Sequence, residues 1–227
     1  MNFQGFPKEG LKFVDNIIIN NSKTWLDAHR DDYEKYIVSP NKAYVQEMGE
    51  ELQALVPNIH AIPKINKSLF TIYRDARFHK LDPIKERIGI IFWQGATHRM
   101  QSASFYMHYD PFEIFIATGI RNFKPPLLAT YREYIKKDAK REALHTILEE
   151  LQAKGYSIPE PKYKRFPVGF DKEDNYSYLY KYASMYAFKN FDVDNVFHSE
   201  KIIERNFRCY EEMLDLHQWV YELTLVL

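Results

Sequence analysis

One short stretch in the middle of the chain brings together several charged side chains, which are Arg74, Asp75, Arg77, Lys80 and Lys85. A guanidinium group binds phosphate or carboxylate through paired hydrogen bonds, and a nearby carboxylate can fix its orientation. We therefore predict that Asp75 orients one of the two arginines, while the remaining donors bind a small anion. The alternative is a buried network of ion pairs with a structural function, because a buried charge without a partner is strongly destabilising.

A second basic group lies later in the chain and consists of Lys162, Lys164 and Arg165. The Pro-x-Gly sequence that follows restricts the backbone next to these residues. If the second basic group folds against the first stretch, the two would complete one anion-binding pocket. A solvated loop is the alternative interpretation. The interleaved rings of Tyr163 and Phe166 could stack on bases, although a position in the core is the interpretation that we favour.

Tyr73 and His108 are predicted to donate hydrogen bonds to the same ligand. His108 falls in the middle of a predicted hairpin, with Ser104 and Tyr106 on its face. It could act as an acid or base near neutral pH, or it could be a hydrogen-bonded histidine of the sheet, which is the interpretation that we favour. The complete predicted ligand-binding set is Tyr73, Arg74, Asp75, Arg77, Lys80, Lys85, His108, Lys164 and Arg165.

Other kinds of chemistry receive little support from the sequence. The 8 histidines lack metal-binding spacing, so we predict no metal site. No Gly-x-Ser-x-Gly elbow is present, and the single cysteine, Cys209, lies in a helical pattern among apolar residues. The 8 glycines form neither a phosphate-binding loop nor a dinucleotide fingerprint, so no cofactor is predicted. We assign no catalytic residue and leave open whether the protein is an enzyme.

Composition restricts the class of protein further. The 31 basic and 31 acidic residues cancel, so the strong positive field of a general nucleic-acid-binding protein is missing and such a partner is not expected. One cysteine allows no internal disulfide, which suits a reducing compartment. The chain starts without a secretory pattern and contains no apolar run long enough to span a bilayer. We therefore predict a cytoplasmic protein without a membrane partner, in which residues 1–227 form a single domain.

The order of the elements predicts an α+β fold, with helices at both ends flanking a central, mainly antiparallel sheet. Helical periodicity marks the first third and most of the sequence after Pro125. Strands are predicted from β-branched and aromatic content, and they are Leu69–Phe78, Ile88–Trp93, Ser104–Tyr109 and Phe112–Thr118. The turn sequence Asp110–Pro111 joins the last two strands in a hairpin.

A tyrosine-rich stretch near the carboxyl end provides an alternative function. We predict a helix over Ser177–Phe188, and the tyrosines on or beside it are Tyr176, Tyr178, Tyr180, Tyr182 and Tyr186. Such a surface could contact another protein, although a half-buried helix face is the simpler interpretation. The molecule would then be a non-catalytic interaction module with a structural charged core.

Several motifs occur together in an order that resembles the bacterial family called domain of unknown function 2461. The residues that carry the resemblance are Phe3–Phe6, Trp25, Pro40, Ile72–Phe78, Lys80, Pro83, Lys85, Phe105–His108 and Lys164–Phe170. The segment after Phe78 is one residue shorter than in the family and lacks one basic position. A single glycine, Gly119, stands where the family commonly has two. The resemblance covers nearly the whole chain and implies no particular reaction.

Taken together, the residues favour a small-anion-binding protein, or an enzyme of unassigned class, for a phosphorylated or carboxylated metabolite. The sequence does not determine the ligand or the oligomeric state.

Overall fold

The computed structural model describes residues 2–227 and shows an α+β protein. The α-helices are α1 (Lys8–Ile19), α2 (Lys23–Ala28), α3 (Arg30–Tyr33), α4 (Ser39–Leu52), α5 (Pro125–Tyr134), α6 (Asp138–Ala153), α7 (Lys201–Glu212) and α8 (Leu214–Leu225). The strands are β1 (Ile59–His60), β2 (Ile88–Gln94), β3 (Ser104–Tyr109), β4 (Glu113–Ile120) and β5 (Met185–Asp192). Glu34–Val38 forms a π-helical segment, and Arg99–Gln101 and Ser177–Lys181 form 3₁₀ helices.

The helices at the amino-terminal end confirm the helical periodicity of the sequence. Helix α1 buries Phe13, Val14 and Ile17, which recur on one face. The hydroxyl of Ser22 accepts a hydrogen bond from the Trp25 amide at 3.2 Å and caps α2. The helical first third is divided into several elements, because α2 ends at Ala28 and the chain continues through α3 and the π-helical segment into α4.

The strands form one 5-stranded antiparallel sheet in the order β1-β2-β3-β4-β5. The hairpin of β3 and β4 confirms the prediction at the Asp110 turn. The Asp110 carboxylate accepts hydrogen bonds from the amides of Phe112 at 2.8 Å and Glu113 at 3.0 Å. These contacts fix the turn and therefore the register of the hairpin.

Gly119 explains how β4 and β5 can lie so close together. Its φ angle is +123°, and a Cβ atom there would lie 2.1 Å from the Met185 carbonyl oxygen. Only glycine tolerates both this backbone conformation and this distance. A larger residue at Gly119 would push the edge strand β5 away from β4.

Two predicted elements are wrong. Leu69–Phe78 is not a continuous strand of the sheet. Leu69 forms an isolated antiparallel bridge with Ile90 of β2, whereas from Ile72 onward the backbone pairs locally with the segment that follows it. The Arg74 amide donates to Pro83 O and the Lys85 amide donates to Ile72 O, both at 2.8 Å. Beyond this short pairing, the chain turns at Asp75, whose carbonyl oxygen accepts from the Phe78 amide at 3.0 Å. We call Ile72–Glu86 the central loop.

The predicted helix Ser177–Phe188 is also wrong, because a short 3₁₀ helix there is followed by strand β5. Burial alternates with a period of two at the start of β5, which is typical of a strand. Tyr180 and Tyr182 are buried, so these two rings do not contribute to an exposed tyrosine surface.

The chain divides into two compact units, which we describe separately. The first unit contains the residues up to Phe92 together with Tyr106–Ile116 and Asn190–Cys209. Its core includes an aromatic cluster of Phe3, Phe6, Tyr44, Tyr109 and Phe197, whose neighbouring rings lie about 5 Å apart. The single domain over residues 1–227 stays a prediction.

The second unit contains Trp93–Phe105, Ala117–Lys189 and Tyr210–Leu227. His217 lies in its core, where its ring stacks on Phe105 at 4.3 Å. The Nε2 atom of His217 is 3.0 Å from the Gln94 side-chain oxygen. Burial lowers the pKa of His217 to about 3, so the ring is neutral near neutral pH.

Two properties concern residues 2–227 as a whole. None of the helices in this part of the chain is both long and apolar enough to cross a membrane. The described residues also contain no group of three or more His, Cys, Asp or Glu side chains that could hold a metal ion.

Candidate anion-binding site

Arg74 in the central loop is surrounded by acceptors. Its Nε atom donates to the Ile84 carbonyl oxygen at 2.9 Å. The two terminal nitrogens lie 3.6 Å from an Asp82 oxygen and 3.4 Å from a Glu86 oxygen. Only 25% of the Arg74 side chain is exposed. The guanidinium group is therefore neutralised from two sides, and an incoming anion would compete with two carboxylates.

The position of this loop depends on Asn21, which follows α1. The Asn21 side-chain amide donates to Ile84 O at 2.9 Å, and its oxygen accepts from the Ile84 amide at 2.8 Å. One side chain thus satisfies both polar backbone groups of Ile84. This contact ties the central loop to the helices of the first unit.

Asp75 and Arg77 form the predicted pair of a carboxylate and an arginine, but at the surface. Arg77 donates through Nε and Nη2 to the two Asp75 oxygens at 3.0 and 2.6 Å. These side-chain bonds and the Arg77 amide lower the pKa of Asp75 to about 2. The Arg77 side chain is 80% exposed, so the alternative of a buried ion-pair network does not describe this pair. The reason is the turn at Asp75, which directs this part of the loop into solvent.

The remaining predicted residues of the central loop have different environments. Lys85 donates to the Thr71 carbonyl oxygen at 2.6 Å. The Tyr73 hydroxyl accepts a long hydrogen bond from Arg30 at 3.5 Å. Lys80 is exposed and forms no salt bridge within residues 2–227. The loop therefore holds two arginines by carboxylates and leaves Lys80 as an exposed charge.

His108 is packed among aromatic rings of the first unit. Its ring stacks on Phe115 at 4.6 Å with an interplanar angle of 14°, and it lies 5.6 Å from the Tyr106 ring. The side chain is buried. A histidine packed in this way suits a structural position in the sheet, while contact with a ligand stays a prediction.

The second basic group lies in the second unit, in an irregular loop between α6 and the 3₁₀ helix that begins at Ser177. The loop is attached at Tyr163, whose amide donates to the Lys181 carbonyl oxygen at 3.0 Å. The guanidinium carbon of Arg132 lies 5.3 Å from the Tyr163 ring centre. The ammonium nitrogen of Lys181 lies 4.4 Å from the Phe166 ring centre. Two additional cations, from α5 and the 3₁₀ helix, therefore lie over the rings of this loop.

We define the ring-backed cluster as Arg132, Lys162, Lys164, Arg165 and Lys181. None of these side chains has a carboxylate oxygen within 4.0 Å among residues 2–227. The Nε atom of Arg132 is buried and has no hydrogen-bond acceptor in the same part of the chain. A ring attracts a cation through its quadrupole without cancelling its charge. The cluster therefore keeps its positive charge and most of its donors.

The predicted residues thus fall into different units. Lys164 and Arg165 belong to the second unit, whereas the rest of the predicted set, from Tyr73 to His108, belongs to the first. A single pocket formed by all of them stays a prediction.

Sequence reasoning missed Arg132 and Lys181, because nothing in their local spacing distinguishes them from ordinary surface cations. It also missed Arg141, a buried arginine of the second unit that is only 2% exposed. Arg141 donates to Asp174 at 2.5 Å and to Asp138 at 2.8 Å. The one signal for this ion pair in the sequence was the three-residue spacing of Asp138 and Arg141, which makes them neighbours on the surface of a helix.

Comparison with known proteins identifies the family. The family model described as "Conserved hypothetical protein (DUF2461)" matches residues 9–219, so this chain belongs to that family. This confirms the resemblance seen in the motifs. No curated protein matches the sequence.

Proposed function

We propose that this protein binds a small anionic ligand through the ring-backed cluster. The observation that supports the proposal is the lack of any carboxylate within 4.0 Å of these cations among the described residues, although the whole chain carries as many acidic as basic residues. Uncompensated charges repel one another, and an anion relieves that repulsion. Of the predicted site residues, Lys164 and Arg165 therefore have the strongest support.

Each member would contribute in a way that follows from its position. Lys164 and Arg165 are exposed at the surface of the loop and would make the first contact with the anion. Arg165 can bind two oxygens of a phosphate or carboxylate at once, whereas Lys164 provides a single charge. Arg132 and Lys181 are half-buried over the rings and would add charge from behind. The arginines of the central loop would have a structural function.

Thermal unfolding in the presence of pyrophosphate or inorganic phosphate tests this proposal. A ligand at about 100 times its dissociation constant adds ~2.7 kcal/mol to the stability of the folded state. For a chain of this length, that stabilisation corresponds to a midpoint increase of about 5–10 °C. We expect Lys164→Met with Arg165→Met to abolish the increase. Chloride at matched ionic strength controls for screening by salt.

A matched variant controls for the loss of two positive charges. Lys12→Met with Lys23→Met removes two exposed cations of the first unit, and we expect it to respond to pyrophosphate as the parent protein does. An equal response to pyrophosphate and chloride would contradict the proposal. An unchanged response of the Lys164 and Arg165 double variant would contradict it as well.

A second candidate function draws on the tip of the central loop. Phe78 is 78% exposed and Leu81 is 94% exposed, so two large apolar side chains lie at the surface of the same loop. This observation favours an interaction module that uses the loop rather than the tyrosine-rich stretch. Sedimentation at increasing concentration tests it for self-association. We would then expect Phe78→Ser with Leu81→Ser to abolish any association, and a monomer at every concentration would contradict association with a second copy.

A further inference from the structure

The ring-backed cluster contains a repeating pattern that a single small anion would not fill. From Lys162 to Phe166, the chain presents a cation, a ring, two cations and a second ring. Tyr163 and Phe166 are three residues apart, so their Cα atoms are separated by at most about 10 Å. Lys164 and Arg165 lie between the two rings and are exposed. Charges and rings thus alternate along this segment of the chain.

The two rings are held in place without being fully buried. Arg132 and Lys162 both lie over Tyr163, Lys181 lies over Phe166, and the Tyr163 amide fixes the backbone to Lys181. Both rings are half-buried, so part of each remains accessible to a ligand. A cation beside a ring also stabilises the negative charge of a bound phosphate near that ring. Each ring therefore keeps a part of its surface accessible, with positive charge beside it.

Single-stranded nucleic acid has the chemistry that matches this surface. Every nucleotide provides one phosphate and one base with two π faces, and proteins bind such strands by combining cations with aromatic stacking. A double helix fits less well, because its bases are already stacked and the protein as a whole carries a formal net charge of +0. Although the composition argued against a general nucleic-acid-binding protein, a local site of this kind needs only a few cations.

We propose that the ligand of the ring-backed cluster is a short single strand of nucleic acid, an inference that rests on the proposed function. Its phosphates would contact Lys164 and Arg165, and one base would stack on the accessible part of Tyr163. The contacts do not select a sequence, because every base has a π face.

Fluorescence anisotropy with a labelled deoxythymidine strand of about eight nucleotides tests the assignment, since such sites cover about 4–16 nucleotides. We expect Lys164→Met with Arg165→Met to weaken binding by at least about tenfold. The slope of log K against log salt should become shallower by about 1.4, because each phosphate contact on a single strand contributes about 0.7. The double variant of Lys12 and Lys23 should bind as the parent protein does.

Tyr163→Leu tests the stacking contact, and we expect it to weaken strand binding about tenfold without changing the salt slope. Tyr163→Phe keeps the ring and should restore binding to the parent level. Circular dichroism melting shows whether the leucine variant folds. If it does not fold, Tyr163→Phe and the exposed Lys164 and Arg165 variant still decide the question.

The outcomes separate this inference from the proposed function. If pyrophosphate stabilises the protein through Lys164 and Arg165 but the strand does not bind, the nucleic-acid assignment is overturned and anion binding stands. If neither binds, both fail. If a duplex of the same sequence binds as tightly as the strand, or Tyr163→Leu binds unchanged, the assignment to a stacked single strand is overturned.

Discussion

The central loop and the ring-backed cluster are both basic, but their cations have different partners. In the central loop, Arg74 lies between Asp82 and Glu86, and Arg77 is bound by Asp75. In the cluster, Arg132 and Lys181 lie over aromatic rings. A carboxylate cancels a positive charge and occupies its donors, whereas a ring does neither. The partner of a cation, more than the local density of cations, therefore indicates whether that cation can bind a ligand.

Arg141 is an arginine whose partners are carboxylates and other acceptors of the protein, so its function is structural. It belongs to the same unit as the cluster, yet it is buried and contacts Asp138, Asp174 and the Ile135 carbonyl oxygen. Its bond to Asp174 joins α6 to the segment that precedes the 3₁₀ helix at Ser177. Within one unit, therefore, one arginine is completely engaged and another, Arg165, is exposed without an ion pair among residues 2–227.

The largest effect is expected for Arg141→Met. The substitution leaves the buried Ile135 carbonyl oxygen and the buried Tyr180 hydroxyl without their Arg141 donor, and each buried polar group that loses its partner costs about 1–3 kcal/mol. Urea unfolding should show this loss, whereas Arg165→Met should stay within about 0.5 kcal/mol of the parent protein. Equal losses in the two variants would contradict the distinction between structural and available arginines.

A smaller effect is expected from His217, a buried group of the second unit that has no charged partner among residues 2–227. Its folded-state pKa of about 3 lies below the ordinary value of 6.5, so below pH 6.5 the unfolded chain takes up a proton that the folded protein does not. Stability therefore falls with pH between 6.5 and 3, by about 1.4 kcal/mol per pH unit. Between pH 6.5 and 5, the parent protein should lose about 2 kcal/mol more than His217→Gln.

Chemical denaturation of both proteins at several pH values measures that difference. The change in the free energy of unfolding with pH is compared between the two proteins. The cost of the substitution itself is the same at every pH and therefore cancels from this change. Parallel curves for the parent protein and His217→Gln would show that His217 is not a neutral buried ring.

Much of the fold could be predicted because several elements carry strong local signals. Ser104–Tyr109 was predicted with its observed bounds, and Asp110 marked the hairpin turn. The segment before the central loop turn has the same β-branched and aromatic content as a strand, yet Leu69 forms just an isolated bridge to Ile90 of β2, and Tyr73 pairs with Ile84 of the central loop. Composition indicates an extended backbone but does not identify its hydrogen-bonding partner. That is why Leu69–Phe78 was assigned to the sheet.

The candidate site was less accessible from the sequence, because its partners are distant in the chain. Lys164 and Arg165 were predicted from their local charge, but Arg132 lies on a helix about thirty residues earlier and reaches the loop at the Tyr163 ring. The pairing of Asp75 with Arg77 needed only local spacing and was predicted correctly. The exposure of this ion pair was not predicted, because it depends on the turn that the chain makes at Asp75.

An intermediate effect is expected for Asn21→Ala, which tests whether the central loop is held as a structural element. The substitution removes the acceptor of the Ile84 amide and one of the donors to the Ile84 carbonyl oxygen. A polar backbone group left without its partner costs about 1–3 kcal/mol. Urea unfolding should show a loss in this range, and hydrogen exchange at the Ile84 amide should become faster. Unchanged exchange at that amide would contradict the role of Asn21.

The smallest effect concerns the titration of Asp75, which reports on the partner of an exposed arginine. The side-chain bonds from Arg77 are the main cause of its pKa of about 2, and the Arg77 amide adds to them. Arg77→Met removes the first contribution and keeps the second, so the pKa of Asp75 should rise but stay below the ordinary value of about 3.9. Because the folded-state pKa is lowered, the stabilisation by Asp75 is present above the ordinary value and is lost as pH falls through about 2. Carbon-detected NMR of the Asp75 carboxyl group measures the midpoint, and Lys80→Met serves as a control that removes an exposed charge of the same loop. A midpoint that Arg77→Met leaves unchanged would mean that Asp75 does not hold Arg77 in solution, and the donors of Arg77 would then be as available to an anion as those of Arg165.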